Sequence, residues 1–390
     1  MSARARTLLV ALGVFTAALA AAGSGAAGVA TPTGAGNGDT IRVAILDGAR
    51  AVEVRSPDDI VVSEPGACEG CGSRPWRGRV VKLAAGAGGI EVEGRRAPAF
   101  RLSSERSMRL NAREYAGSLD VIRTGESTLV VVNEVPLEDY LAGVVRAEGS
   151  ERWPAEALRA QAIVSRTYAA YHRAMNAGKP FHIVASTAHQ QFAGVVGPSS
   201  PAWVAVEETR GQVLRWEGEL FPAFYHTNSG GYTEDPRTVF AARNMPGLRA
   251  VVCPLAAGSP HYQWNLDLRL TTLAEALTRN GAGVGAVRSV EVTERTASLR
   301  ATVVTVRGTA GTQRLRGNDF RRMVGYDVLK STLFAVAVDG AVARFTGRGY
   351  GHGVGMCQWG ARGMAEQGAT AAQILAFYYP GATLGTLAER

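Results

Sequence analysis

From residue 40 to about 132, short runs of alternating apolar and polar residues follow one another: IRVAILDG, AVEVRS, DIVVSE, RVVKLAAG, GGIEVEG and SLDVIRTGESTLVVVNEV. Gly, Asp or Pro separates them. A period of two with such punctuation predicts β-strands, so this stretch reads as all-β. The period then changes. Leu137, Tyr140, Leu141, Val144 and Val145 recur at helical spacing after Pro136, with Glu138 and Asp139 at the end where the helix dipole favours acids. Pro136 suits the first helical position, and Gly149 suits the left-handed residue that closes a helix. A stripe at 157/158, 162, 165 and 168/169 predicts a second helix, from Trp153-Pro154 to Gly178. Further helices are expected over 200–209, near 271–280, and at about 358–367 and 370–379. VRSVEVTER, SLRATVVTVRG and LFAVAVDGAVARFTG read as strands, and QVLRWEGELFPAFYHTNSGGYTED as a hairpin turning at Glu217-Gly218. Strands and helices come in blocks. That argues for an α+β fold: an N-terminal all-β region, a central helical region, and a β-rich remainder with C-terminal helices.

The N-terminus changes the picture first. Arg4 and Arg6 precede an apolar run from Leu8 to Ala22, and Gly28-Val29-Ala30 matches a small-residue cleavage site. Residues 1–30 are therefore expected to be a secretory signal peptide. The apolar run is shorter than the roughly 20 residues of a membrane span, and an uncleaved anchor is the alternative reading. Residues 31–39 form a Gly/Thr-rich linker, followed by a β-rich region over 40–132 and a catalytic region over 133–385. The expected location is outside the cytoplasmic membrane, in periplasm or wall, with no stable membrane span after cleavage.

The 390 residues carry a formal charge of +8, and removing the +2 of Arg4 and Arg6 leaves about +6. A basic exported chain meets anionic partners such as wall polymers, phospholipid head groups or acidic sugars. No basic run is interleaved with aromatics, so nucleic acid is not an expected partner. Cys68 and Cys71 form a lone CxxC; a zinc site needs a second pair or nearby histidines, so a local disulfide is the expectation. Cys253 and Cys357 are candidates for a second, long-range bridge.

Candidate chemistry gathers at four places. In GRGYGHGVGMCQWGA (347–361), glycine occupies every second position from 347 to 355. Read as a strand, it shows a bare glycine face on one side and Arg348, Tyr350, His352 and Val354 on the other. Such a face suits either a ligand lying on the backbone or close packing of protein against protein. No nucleotide-binding glycine motif can be completed there. Glu148 closes the first helix, after Val144-Val145-Arg146-Ala147. The negative dipole end shifts a carboxyl by well under a pKa unit, whereas burial shifts it by as much as ~3–5 units, so burial would have to make it an acid. Arg166 lies mid-helix, as a buried structural fork or an anion clamp. His226, Thr227, Asn228 and Ser229 precede Gly230-Gly231, as a binding loop or a capped turn. His189 and His226 lack a metal-binding spacing, and neither metal nor cofactor is expected.

Three segments taken together resemble the SpoIID/LytB family, in sequence and in order: 131–169 (VVNEVPLEDYLAGVVRAEGSERWPAEALRAQAIVSRTYA), 224–236 (FYHTNSGGYTEDP) and 347–384. SPHYQW (259–264) is similar to the family as well. The resemblance implies a lytic transglycosylase of peptidoglycan glycan strands, with SpoIID members preferring strands stripped of stem peptides. It places the catalytic glutamate at Glu148. It implies substrate contacts at Arg166, Gln190, His226, Asn228, Ser229, Tyr350 and His352. Where many relatives read C-D-x-x-H-C-Q, residues 184–190 read VASTAHQ; both cysteines are absent, Gln190 remains, and no zinc is expected. Cys357 stands where relatives carry serine, and Gly149-Ser150 departs from the residues that usually follow the catalytic glutamate. Hydrolysing glycosidases usually need two carboxylates, and the sequence offers one good candidate. A lytic transglycosylase works with one, donating to the leaving oxygen and then taking the proton of the muramic C6 hydroxyl. The free lactyl carboxylates of stripped glycan would suit Arg166 or Arg348. The competing reading, also from the family, is a non-catalytic wall-binding enhancer of a peptidoglycan amidase.

Overall fold

The structure, a computed structural model, describes residues 40–65, 75–240 and 247–388. The leader, the linker, Cys68 and Cys71 lie outside the described residues. The fold is α+β, as the block pattern predicts. Among the described residues no helix is long and apolar enough to cross a membrane.

The N-terminal strands form one eleven-stranded sheet among the described residues. Thr40–Ala49 pairs antiparallel with Leu129–Pro136 and parallel with the short Ile183–Val184. The sheet therefore extends past residue 132, and its core does too. Helices α1 (Leu137–Glu148), α2 (Ala155–Met175) and α3 (Pro201–Glu208) lay Leu141, Val144, Leu158, Tyr168 and Val206 onto Ile41, Val43 and Val131. The boundary at 132/133 thus falls inside the strand Leu129–Pro136, the change of element comes at Leu137, and one core lies on both sides of it.

AVEVRS and DIVVSE are one strand, Ala51–Ser63, rather than two. Ser56-Pro57-Asp58 reads as a turn, but its residues sit in a register shift between Arg55 and Ile60, where a proline without an N–H does no harm to the ladder.

Helix α2 is buried on two sides. The predicted stripe, Leu158, Ala162, Tyr168 and Ala169, faces the first core. Ala160, Ile163 and Val164 face a second, shared with Leu214, Tyr225, Met356, Ile374 and Tyr378. The second core carries the short helix α4 (Pro236–Val239) at its edge. A third core, with Phe320, Phe334 and Phe345, sits under helices α5 (Leu270–Arg279) and α6 (Gly317–Val324) and the strands between residues 263 and 348. Helices α7 (Gln358–Glu366) and α8 (Ala371–Tyr378) close the second core from the C-terminal end.

The glycine segment corrects an expectation. Val342–Arg348 is a strand, and the bare Gly347 accepts the Trp264 ring: a Cβ there would lie 2.2 Å from it. Beyond it Gly349, Gly351, Gly353 and Gly355 all have positive φ, between 71° and 112°. Alternating left-handed glycines cannot continue a pleated strand, so the five glycines do not share one open face. They press instead on other protein atoms. A Cβ on Gly355 would come 1.9 Å from the Phe224 carbonyl oxygen, and one on Gly351 2.8 Å from His226 Cβ. Gly355→Ala is thus expected to destabilise the fold by at least ~1–3 kcal/mol, from strained backbone plus clash, measurable by urea denaturation. Gly351→Ala should likewise lower stability together with activity.

Candidate active site

Helix α1 ends at Glu148. Gly149 stops it with extended backbone (φ −118°), not the left-handed conformation the sequence suggests, and its N–H bonds the Val145 carbonyl. The Glu148 side chain turns inward. Its Oε1 accepts from the Gln191 backbone N–H at 2.7 Å, and the Tyr225 hydroxyl and the Gln358 amide also bond the carboxyl. The residue is half-buried, with the carboxyl itself closely surrounded by protein. Burial raises its pKa to about 7, against the opposing pull of those three hydrogen bonds. None of the three partners is charged, so nothing restores the carboxylate to its ordinary range.

The partners are held by a second ring of neutral groups. Gln190 Nε2 donates to the Tyr225 hydroxyl at 3.1 Å and to the Ser165 carbonyl, while the Tyr140 hydroxyl donates to Gln190 Oε1 at 3.1 Å. Gln358 Nε2 donates to Gln161 Oε1, and Gln161 Nε2 to Ser165 Oγ. Burial first, then the nearby Glu148, keeps the Tyr140 and Tyr225 hydroxyls protonated far above their usual range. Helices α1, α2 and α7 and the strand Tyr225–His226 each supply one side of this cage. Among the described residues, no second carboxylate is one of the groups that act on Glu148. The two carboxyls of a retaining glycosidase, ~5–5.5 Å apart, would perturb each other. Trp153 and Trp359, both half-buried, meet edge to face at 5.6 Å just beyond Glu148 and Gln358 in the chain.

Of the candidate residues, Gln190 joins Glu148; the others do not. Arg166 is fully buried and forks onto Glu138 (2.6 Å), the Val206 and Gln212 carbonyls and the Thr209 hydroxyl. It is the structural fork, with no donor left for a substrate anion. His226, Asn228 and Ser229 are buried in backbone contacts. Asn228 donates to the Ala256 carbonyl and accepts from Gly230 N–H; Ser229 N–H donates to Cys357 Sγ. Asn228 and Ser229 form a capped, packed turn, and His226 is buried beside it with its Nε2 unpartnered by protein. Tyr350 donates to Asp327 at 2.7 Å on the outer side, next to His261.

His352 has an indirect place. Its Nδ1 accepts from Val354 N–H and its ring bonds the Tyr225 backbone. Burial drives its pKa down to about 3, so it stays neutral. The glycine segment pairs with the polar loop, Asn228 and Tyr350 exchanging both backbone hydrogen bonds and Tyr225–His226 running parallel to Met356–Cys357. Tyr225 and Gln358 therefore reach Glu148 because these two segments clasp each other. Both residues were missed from sequence. The available signal was that each lies inside a quoted motif, Tyr225 in FYHTNSGGYTEDP and Gln358 in GRGYGHGVGMCQWGA. Cys253 and Cys357 are brought together as two buried free thiols, with no bond between them. His189 lies against His172, ring centres 5.1 Å apart; among the described residues no cluster of three or more His, Cys, Asp or Glu side chains forms a metal cage.

A family profile described as Stage II sporulation protein matches residues 125–216, the stretch that holds Glu148, Gln161, Ser165 and Gln190. Stage II sporulation protein D of Bacillus amyloliquefaciens is 30% identical over 285 residues, covering 69% of this chain and 79% of the relative. The chain belongs to the SpoIID/LytB family. An uncharacterized protein of Brachyspira hyodysenteriae is 35% identical over 276 residues, 70% of this chain and 72% of its own. A relative named Amidase enhancer, from Bacillus subtilis, is 30% identical over 293 residues, 63% of this chain and 40% of that longer protein. A domain of unknown function matches residues 256–355, which include Tyr350 and His352. Tyr225 and Gln358 fall outside both matched stretches, so the SpoIID/LytB cage is completed by segments that neither profile covers.

Tyr225→Phe tests the cage. It removes a hydrogen bond that favours the carboxylate, so the Glu148 pKa should rise above about 7. In a pH–rate profile the alkaline limb should move to higher pH; an unmoved limb would mean that Tyr225 does not act on Glu148.

Proposed function

We propose that the chain is an exported lytic transglycosylase that cleaves peptidoglycan glycan strands, stem-peptide-free ones in particular, to 1,6-anhydromuramic ends. The observation that carries this is one carboxyl with a pKa near neutral and no charged partner. A general acid works best when its pKa lies near the working pH. Protonated, Glu148 donates to the glycosidic oxygen as the bond to C1 breaks. The resulting carboxylate takes the proton of the muramic C6 hydroxyl as that oxygen attacks C1. One group thus serves twice, with no need for a second carboxylate or for water. The neutral cage suits this cycle, because a fixed cation beside Glu148 would hold it ionised. The net positive charge suits a substrate with free lactyl carboxylates. With Arg166 committed to Glu138, Arg348 is the remaining candidate of the two arginines for such a carboxylate.

The name of the Amidase enhancer relative favours a second reading, in which the chain binds wall and stimulates an amidase without cutting glycan. Incubating purified stripped glycan with the chain in heavy-oxygen water separates the outcomes. Cleavage without heavy oxygen in the products supports transglycosylation. Heavy oxygen at new ends makes the chain a hydrolase. No cleavage of stripped glycan, together with faster release of stem peptides when the chain and an amidase are added to intact peptidoglycan, supports the enhancer.

A further inference from the structure

Two thiols and a cavity take no part in the chemistry above. The cavity, of about 510 Å³, lies between α7, α8 and the turn at Pro254–Gly258, and its wall includes Cys253, Leu255, Met364, Phe377 and Tyr378. Cys253 Sγ lies 3.1 Å from the Tyr378 hydroxyl on one side and in hydrogen-bonding contact with Cys357 on the other. Gly360 makes the room: a Cβ there would stand 2.5 Å from Cys253 Sγ. Both thiols are almost wholly buried, but only Cys253 belongs to the cavity wall; Cys357 is absent from it.

We propose that Cys253 is a thiol–disulfide exchange site for a small organic disulfide entering this cavity, with Cys357 as the resolving thiol. The Cys253 thiolate attacks one sulfur of R–S–S–R; the other leaves as R–S⁻ and takes a proton. Cys357 then gives up its proton and attacks the Cys253 sulfur, expelling the second R–S⁻. The chain loses two electrons in forming the Cys253–Cys357 bond, and the reagent gains them as two thiols. The order follows from access, because Cys253 lines the cavity and Cys357 does not. The surroundings agree with it: the hydrogen bond from Cys357 lowers the Cys253 pKa, whereas burial pushes Cys357 up.

The same bond reaches the Glu148 cage. Cys357 caps α7 by accepting from Gly360 N–H at 3.3 Å and also accepts from Ser229 N–H at 3.2 Å. Drawing its sulfur onto Cys253 weakens both contacts, and the next residue is Gln358, a partner of Glu148. This second consequence rests on the reading of Glu148 as the acid; the exchange chemistry does not.

The test uses the full chain carrying Cys68→Ser and Cys71→Ser, native buffer and 2,2′-dithiodipyridine, with acid quench and intact mass. The expected result is a transient thiopyridyl adduct on Cys253 that gives way to an internal disulfide. Cys357→Ser should trap the adduct on Cys253, and Cys253→Ser should leave Cys357 unlabelled until the chain is denatured. Labelling of Cys357 first, or of neither thiol in the native chain, overturns the proposal. Oxidation should also shift the emission of Trp359, judged against Trp359→Phe, and unchanged emission would overturn the link to α7. Glycan cleavage should be lost on oxidation and return with dithiothreitol. If untreated chain cleaves glycan but the thiols stay inert, exchange fails and the transglycosylase reading stands; adducts without any glycan cleavage give the reverse.

Discussion

Glu148→Gln is expected to lower glycan cleavage by about 10²–10⁴-fold, the usual contribution of a general acid–base group, while making the fold more stable at neutral pH. The two effects share a cause. Glutamine keeps the shape of the side chain and still accepts from Gln191 N–H, but has no proton to give or take. In the native chain the Glu148 pKa rises from an ordinary 4.5 to about 7 on folding. Below pH ~4.5 both states hold the proton and the group contributes nothing. Between ~4.5 and 7 the unfolded state releases it first, so stability falls with rising pH; above 7 the full deficit remains. Glu148→Gln removes that deficit, by about 1–3 kcal/mol for a half-buried group, above pH 7 and not at pH 4. Urea denaturation at the two pH values checks it. A variant equally active, or destabilised at pH 8, would contradict the assignment.

Arg166→Met is expected to cost about 3–5 kcal/mol of stability, because it takes away the cation that Glu138 pairs with directly in a largely buried site. Adding Glu138→Gln should recover much of that loss, since the two changes act on one pair. The folded fraction of the double variant should retain KM for glycan close to native. A large rise in KM with little loss of stability would restore Arg166 as an anion clamp. The measurement therefore separates the two alternatives that the sequence leaves open.

The helices were legible because burial repeats along them. Helices α1 and α2 start and stop within a few residues of the predicted bounds, and the α2 stripe is the face that meets the sheet. Its second buried face was not legible, since Ala160, Ile163 and Val164 fall outside the single stripe that the helical period picks out. Helix α6 was missed because GNDFRRMV is short and polar, with its burial concentrated in Gly317, Phe320 and Arg321. At the site, a lone glutamate at a helix end after an apolar turn was enough to single out Glu148. The cage was not, because Tyr225 and Gln358 arrive through long-range pairing that local pattern does not encode. The alternation of glycines was visible, but its cause was not. A period of two suggests a pleat, whereas the positive-φ glycines are pressed by neighbours: Gly349, Gly351 and Gly355 by the segment Phe224–Gly230, and Gly353 by the Arg300 guanidinium. The polar loop stands out for its donors and acceptors, yet protein neighbours take up those of Asn228, which no single stretch of sequence reveals.

The central claim is that a single neutral carboxyl cuts the glycan and closes the new end. Chromatography and mass spectrometry of stripped glycan treated with the native chain and with Glu148→Gln test it most directly. The account predicts new 1,6-anhydromuramic ends from the native chain and none from the variant; new reducing ends, or anhydro ends at the native rate from Glu148→Gln, would contradict it.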